Sequence, residues 1–179
     1  MAAASNPPFV SVEEYLDTTY PDGDREYLDG QIVERNMGTP NHSALQMILV
    51  AHFAALRKHF NLAVRPECRM RIDETHYRIP DILVMAKPFQ QTDRAVLEAP
   101  LLVIEILSPD DRMRATLTRL REYERRGVRY IIQMDPEERT TSTFVNGDLV
   151  RRDLVSLDLP GGGSLPFDTR ELLALLDEE

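Results

Sequence analysis

Lysine is almost missing from this chain: Lys58 and Lys87 stand alone against nineteen arginines. A cation met elsewhere in the fold is therefore an arginine, which keeps its proton and cannot serve as a base. Cysteine is nearly absent too. The single Cys68, expected in a strand, rules out an internal disulfide and suits a reducing cytoplasm. No apolar run approaches the length of a membrane span. The opening "MAAASNPPF" lacks the basic-then-apolar order of a signal peptide. These absences lead to the expectation of a cytoplasmic protein that makes no use of a membrane. No segment is repeated or low in complexity. Gly161-Gly162-Gly163 lacks the Lys and Ser/Thr of a phosphate-binding loop and reads as linker. His59 and His76 have no ligand spacing to one another, so no zinc site is expected.

The 179 residues, 42% of them hydrophobic, fit one domain spanning 1–179 with a core of ordinary size. The net charge of −9 argues against a protein that coats nucleic acid by bulk attraction. Positive charge is nonetheless concentrated between Arg112 and Arg129, with seven arginines against two glutamates.

Along the chain, Ser11 and Glu14 form a capping box that starts a helix. "REYLDGQIVER" reads as two short strands turning at Asp29-Gly30. Leu45, Ile48, Leu49, Leu56 and Phe60 recur at helical spacing and predict a helix over 42–60. "LAVRPECRMRI" and "HYRIPDILVMA" each predict a strand, with Pro80 at an edge, bulge or strand start. An apolar strand over 101–107 precedes a helix over 112–126, closed by Gly127, with Met113, Leu117, Leu120 and Tyr123 as its buried stripe. "VRYIIQMD" follows as a strand that should lie parallel to 101–107. A hairpin turns at Asn146-Gly147, and a short helix carries Leu172, Leu173 and Leu176. The order predicts an α/β or α+β fold, a mixed β-sheet flanked by helices.

Two residues break these patterns. Glu105 interrupts the apolar run "LLVIEIL", and Asp81 heads the apolar "DILVMA". An unpaired buried carboxylate costs several kcal/mol, roughly, so it protonates, finds a cationic partner or binds a metal. Two acids on two such strands can meet at one point of the sheet and share a hard cation such as Mg²⁺, with the Ile106 carbonyl as a further oxygen. Pairing with an arginine explains the pattern equally well.

The order of "REYLDGQIVERNMGTPNHSALQ", "IPDILV", "VIEILSPDDR", "LREYERRGV" and "MDPE" resembles the Uma-two family of restriction-endonuclease-like proteins, within the PD-(D/E)XK nuclease superfamily. The resemblance runs from about Ser11 to Phe167 and implies a restriction-endonuclease-like fold. It sets Glu26 on the family's first acid, His42 on its helix-start histidine, Asp81 on the acid of the PD motif and Glu105 on the second acid. The superfamily lysine expected two residues after Glu105 is replaced by Leu107. The family's relocated lysine falls at Arg119, and Gln31 replaces the acid that often follows the hairpin glycine.

By this resemblance Asp81, Glu105 and the Ile106 carbonyl hold Mg²⁺ or Mn²⁺ for phosphodiester hydrolysis in DNA. Arg119 supplies positive charge, Glu26 takes part in catalysis and His42 stands behind the metal ligands. Arg112, Arg114 and Arg126 are the candidate phosphate contacts, with Arg112, Arg119 and Arg126 spaced at seven along one helix face. A homodimer is implied by the way restriction-type enzymes cut two strands. The alternative is a relative that binds nucleic acid or protein without cleavage.

Overall fold

A computed structural model describes residues 9–21, 23–36 and 38–178. The residues read above for a signal peptide lie, apart from Phe9, outside the described ones. In chain order the elements are α1 (Val12–Asp17), β1 (Glu26–Leu28), β2 (Gln31–Val33), α2 (Pro40–Leu56), β3 (Leu62–Pro66), β4 (Met70–Arg71), β5 (His76–Arg78), β6 (Ile82–Ala86), β7 (Leu102–Ile106) and α3 (Met113–Arg126). Then come β8 (Tyr130–Asp135), β9 (Thr140–Val145), β10 (Asp148–Arg151), β11 (Ser156–Asp158), β12 (Ser164–Pro166) and α4 (Thr169–Ala174). The fold is mixed α+β.

Six strands form the central sheet in the order β10-β9-β8-β7-β6-β3. The β7–β8 pair is parallel, joined through α3, and the other pairs are antiparallel. Side chains alternate across this sheet. Ile82, Ile104 and Ile132 face Leu45, Leu49 and Phe53 of α2 and Leu172 and Leu173 of α4. Leu83, Val103 and Ile131 face Leu120 and Tyr123 of α3. A second sheet, β2-β1-β5-β4, carries a cluster of Tyr15, Tyr27 and Tyr77.

Local chemistry accounts for the element ends. The Ser11 hydroxyl accepts from the Glu14 N–H at 3.1 Å. Asp29 and Gly30 both take positive φ, as do Asn146 and Gly147, which is what a two-residue hairpin turn demands. Gly127 closes α3 in the left-handed region.

Several expectations need correction. The second helix runs over 40–56, not 42–60, because Pro40 opens it and Thr39 caps it by accepting from the His42 N–H. "LAVRPECRMRI" and "HYRIPDILVMA" each split into two strands that belong to different sheets. The first breaks at Glu67, which has φ 45°, so Cys68 lies in the connection rather than in a strand. The second breaks at Ile79-Pro80-Asp81, where proline's missing N–H ends the first ladder. The glycines 161–163 are the turn of the β11–β12 hairpin, all with positive φ, rather than linker. Met113, at the first turn of α3, is exposed, and Thr116 takes its place on the buried stripe.

Candidate active site

Antiparallel pairing sets Ile82 opposite Ile104 and Leu83 opposite Val103. Asp81, just before Ile82, and Glu105, just after Ile104, come together at this end of the pair, with Glu105 on the α3 side of the sheet. The strands are apolar because both faces are covered, and the acids sit where β6 begins and β7 is about to end. Both are buried, at 4% and 5% exposure, and with Ile106 they line one pocket of about 30 Å³. That space admits one or two water-sized occupants, at about 15 Å³ each.

Each carboxylate oxygen has a partner. Asp81 Oδ2 accepts from the Ile106 N–H at 2.7 Å and lies 3.4 Å from His42 Nε2, while Oδ1 accepts from Arg35 Nη2 at 2.8 Å. Glu105 Oε1 accepts from the Tyr123 hydroxyl at 2.5 Å, and Oε2 accepts from Arg119 Nη1 at 3.1 Å. Burial pushes the Glu105 carboxyl up to about 7. The charges of Asp81 and Glu26 add to that rise, and Arg119 and the Tyr123 hydroxyl oppose it. Burial likewise pushes the Tyr123 phenol well above its usual range, and the Glu105 charge adds to it. For His42, burial lowers the imidazole, but the hydrogen bond and charge of Asp81 outweigh it and leave the group raised.

Arg119 joins this pair to Glu26. Its Nη1 serves Glu105, while its Nε, 3.8 Å from Glu26 Oε1, is buried without a hydrogen-bond partner among the described residues. Glu26 accepts from Arg78 Nη1 at 2.6 Å and from the Ile79 N–H at 3.2 Å. Arg78 in turn grips both oxygens of Glu122 on α3, at 2.6 and 3.0 Å. Glu26 therefore faces a neighbouring open cleft of about 890 Å³, shared with Arg112 and Arg119, and not the small pocket itself.

The remaining candidate residues divide. Arg112 lines the open cleft and is exposed; Arg114 is exposed but lines neither space. Arg126 is a correction. Its Nε donates to the Arg71 carbonyl at 3.0 Å and its Nη2 to the Leu97 carbonyl, so much of its guanidinium is engaged within the protein. Sequence reading missed Arg35, whose partner Asp81 is 46 residues away, and Arg78, which lay unremarked before the PD motif. Tyr123 was read only as a packing residue. A hydroxyl on a buried apolar stripe was the available signal, because such a group needs a partner.

The donor set suits a hard divalent cation. Asp81 and Glu105 offer oxygens at one point, and Ile106, which lines the same pocket, bonds Asp81 there through its N–H. Among the described residues no group of three or more His, Cys, Asp or Glu could hold a metal. The rest of the shell would be water and substrate oxygen, as magnesium prefers.

The Uma2 (Uma-two) family, described as "Putative restriction endonuclease", matches residues 12–163. The curated protein "Uncharacterized protein slr1290" of Synechocystis is 30% identical over 105 residues. That stretch is 57% of this chain and 55% of the relative, so the match spans about half of the relative's length. Among solved structures, a crystal structure of "a putative nuclease belonging to DUF820" from Anabaena variabilis superposes with a TM-score of 0.76 at 23% identity. The superposition covers 93% of this chain and 99% of that one, and at this identity it speaks to the fold alone.

Proposed function

The chain belongs to the Uma2 family of restriction-endonuclease-like proteins, and on that footing we propose that it is a divalent-metal-dependent endonuclease that hydrolyses phosphodiester bonds in DNA. The observation that carries this reading is the meeting of Asp81 and Glu105, two buried acids on adjacent strands, at one small pocket. Asp81, Glu105 and the Ile106 carbonyl hold the cation, Mg²⁺ or Mn²⁺. When bound, the cation lowers the pKa of a water and neutralises charge on the scissile phosphate.

The chain's own residues do the rest. The Ile106 N–H and the Tyr123 hydroxyl each fix one acid by holding one of its oxygens, leaving the carboxylates oriented before substrate arrives. Arg119, on a helix rather than a loop, holds positive charge beside Glu105 for the charge that develops on the phosphate. Glu26 orients Arg119 from its far side. His42 steadies Asp81 from the first turn of α2. Arg112, in the adjoining cleft, contacts the DNA backbone. The reading takes residues 1–179 as one domain of a cytoplasmic homodimer, with one copy for each strand.

Incubation of supercoiled plasmid with Mg²⁺ or Mn²⁺ tests the proposal. Nicked or linear product is expected with the protein as it is, and none with Asp81→Asn. A second reading, binding without cleavage, draws on Arg119, a cation that does not give up its proton, at the position where the family resemblance sets lysine. Retention of DNA with no product under either metal favours that second reading.

A further inference from the structure

Arg35 follows β2 and lies outside regular secondary structure. Its Nη2 pairs with Asp81 Oδ1 at 2.8 Å, and its Nη1 lies 3.5 Å from Glu67 Oε1. Arg119 does for Glu105 what Arg35 does for Asp81, and both guanidinium groups border the same small pocket. Each acid assigned to the cation thus already carries a cation of the protein's own.

A divalent ion and a guanidinium on one carboxylate would lie within about 5 Å and repel more strongly beside buried acids than in bulk water. The two guanidinium groups together oppose the ion, and the departure of one relieves much of that repulsion. Arg119 is the worse candidate to leave. It is anchored on a helix, and its departure would strip Glu105 and Glu26 of a shared partner. Among the described residues Arg35 is tied only to Asp81 and Glu67. Its second contact, Glu67, is itself 54% exposed and loses little when Arg35 moves. The next residue, Asn36, donates to Asp111 Oδ1 at 3.0 Å across the pocket mouth, which ties the chain beside Arg35 to that place. A released guanidinium on a pinned backbone remains at that mouth. There its forked donors match the oxygens of a phosphodiester.

We propose that Arg35 is a phosphate-binding residue stored on Asp81 as a counter-ion, which a divalent cation displaces onto the DNA backbone. The proposal rests on the reading of Asp81 as a metal ligand. It assigns Arg35 two opposite effects, competition with the metal and attraction for the substrate, which a merely structural residue would not combine.

Calorimetric titration of Mn²⁺ into the DNA-free protein, and DNA binding by fluorescence anisotropy in Ca²⁺, separate the two effects. Arg35→Ala and Arg35→Gln should both bind Mn²⁺ about tenfold more tightly, the scale of one neighbouring charge. Both should bind DNA about tenfold more weakly, with Arg35→Lys between them and the unaltered protein. Thermal melting in EDTA identifies any variant that fails to fold, and the pair of substitutions keeps the test alive if one does. Mn²⁺ affinity that is unchanged or weaker in both variants overturns the proposal, and so does unchanged DNA affinity. The Asp81→Asn protein separates the premise from the inference: if it binds Mn²⁺ as well as the unaltered chain, the metal assignment has failed rather than the exchange.

Discussion

Tyr123 and Glu105 meet through a single hydrogen bond of 2.5 Å in the middle of the protein, the phenol donating to Oε1. Both side chains are buried, so loss of the donor leaves the acceptor cut off from bulk water. Tyr123→Phe keeps the ring and deletes only the hydroxyl. It should lower stability by about 1–3 kcal/mol, the cost of leaving a buried acceptor unsatisfied. Urea denaturation should show a lower midpoint at unchanged slope. An unchanged midpoint would mean that Glu105 gains nothing from the phenol.

The raised Glu105 carboxyl makes stability depend on pH in a stated direction. The folded protein keeps a proton that the unfolded chain releases, between the ordinary 4.5 and about 7. This stabilising contribution is complete below the lower value and is lost as pH rises through the upper one. In EDTA, Glu105→Gln should therefore gain on the unaltered protein as pH rises from 4.5 to 7, with a constant difference above. His42 is shifted in the same direction but is common to both proteins, so it largely cancels from the difference. Parallel melting curves across this window would refute the assignment.

Asp81→Asn should abolish metal-dependent cleavage, a loss of at least about a hundredfold, and abolish Mn²⁺ binding while the fold persists. Near-native cleavage rates from this variant would remove Asp81 from the chemistry.

Arg119→Ala should reduce cleavage by about ten- to a hundredfold, the loss expected for one charge partner of the transition state. Arg119→Lys should preserve or raise it, since it restores the residue expected from the family resemblance. If both variants cut like the unaltered protein, Arg119 serves only the acids beside it.

Arg112 and Arg126 should behave differently despite their common helix-face spacing. Arg112→Ala should lower DNA affinity and reduce the slope of log affinity against log salt by about 1. Arg126→Ala should leave DNA binding alone and cost roughly 1–3 kcal/mol of stability, because it removes donors from the carbonyls of Arg71 and Leu97. A salt slope that changes with Arg126 instead would restore it as a phosphate contact.

What could be read in the sequence was what neighbouring residues decide together. Asp29-Gly30 and Asn146-Gly147 announce their turns, and Ser11 with Glu14 its helix start. Asp81 and Glu105 stand out because each is a charge within a few residues of an apolar run. Thr39-Pro40 was legible too, as a cap followed by proline, although the apolar spacing drew attention to the start at His42. The rest depends on distant parts of the chain. Nothing local tells that residues 70–78 leave the central sheet, that Arg126 turns inward, or that Arg35 reaches an acid 46 residues away. Helical spacing finds the face of α3 but not the direction in which a long side chain bends.

The grip of Arg78 on Glu26 and Glu122 has a consequence for how this sequence can change over time. Arg78 lies on one sheet, and Glu122 on the helix packed against the other. Loss of Glu122 alone would leave Arg78 with half of its countercharge, and loss of Arg78 alone would bury two acids side by side. Each single step costs several kcal/mol, roughly, whereas a joint exchange costs less, because Glu122 is then gone and Glu26 keeps the Ile79 N–H and Arg119 beside it. Positions 78 and 122 should therefore be inherited as a unit: relatives with an apolar residue at 122 should lack an arginine at 78. Position 114, exposed and lining neither space, should vary without reference to either.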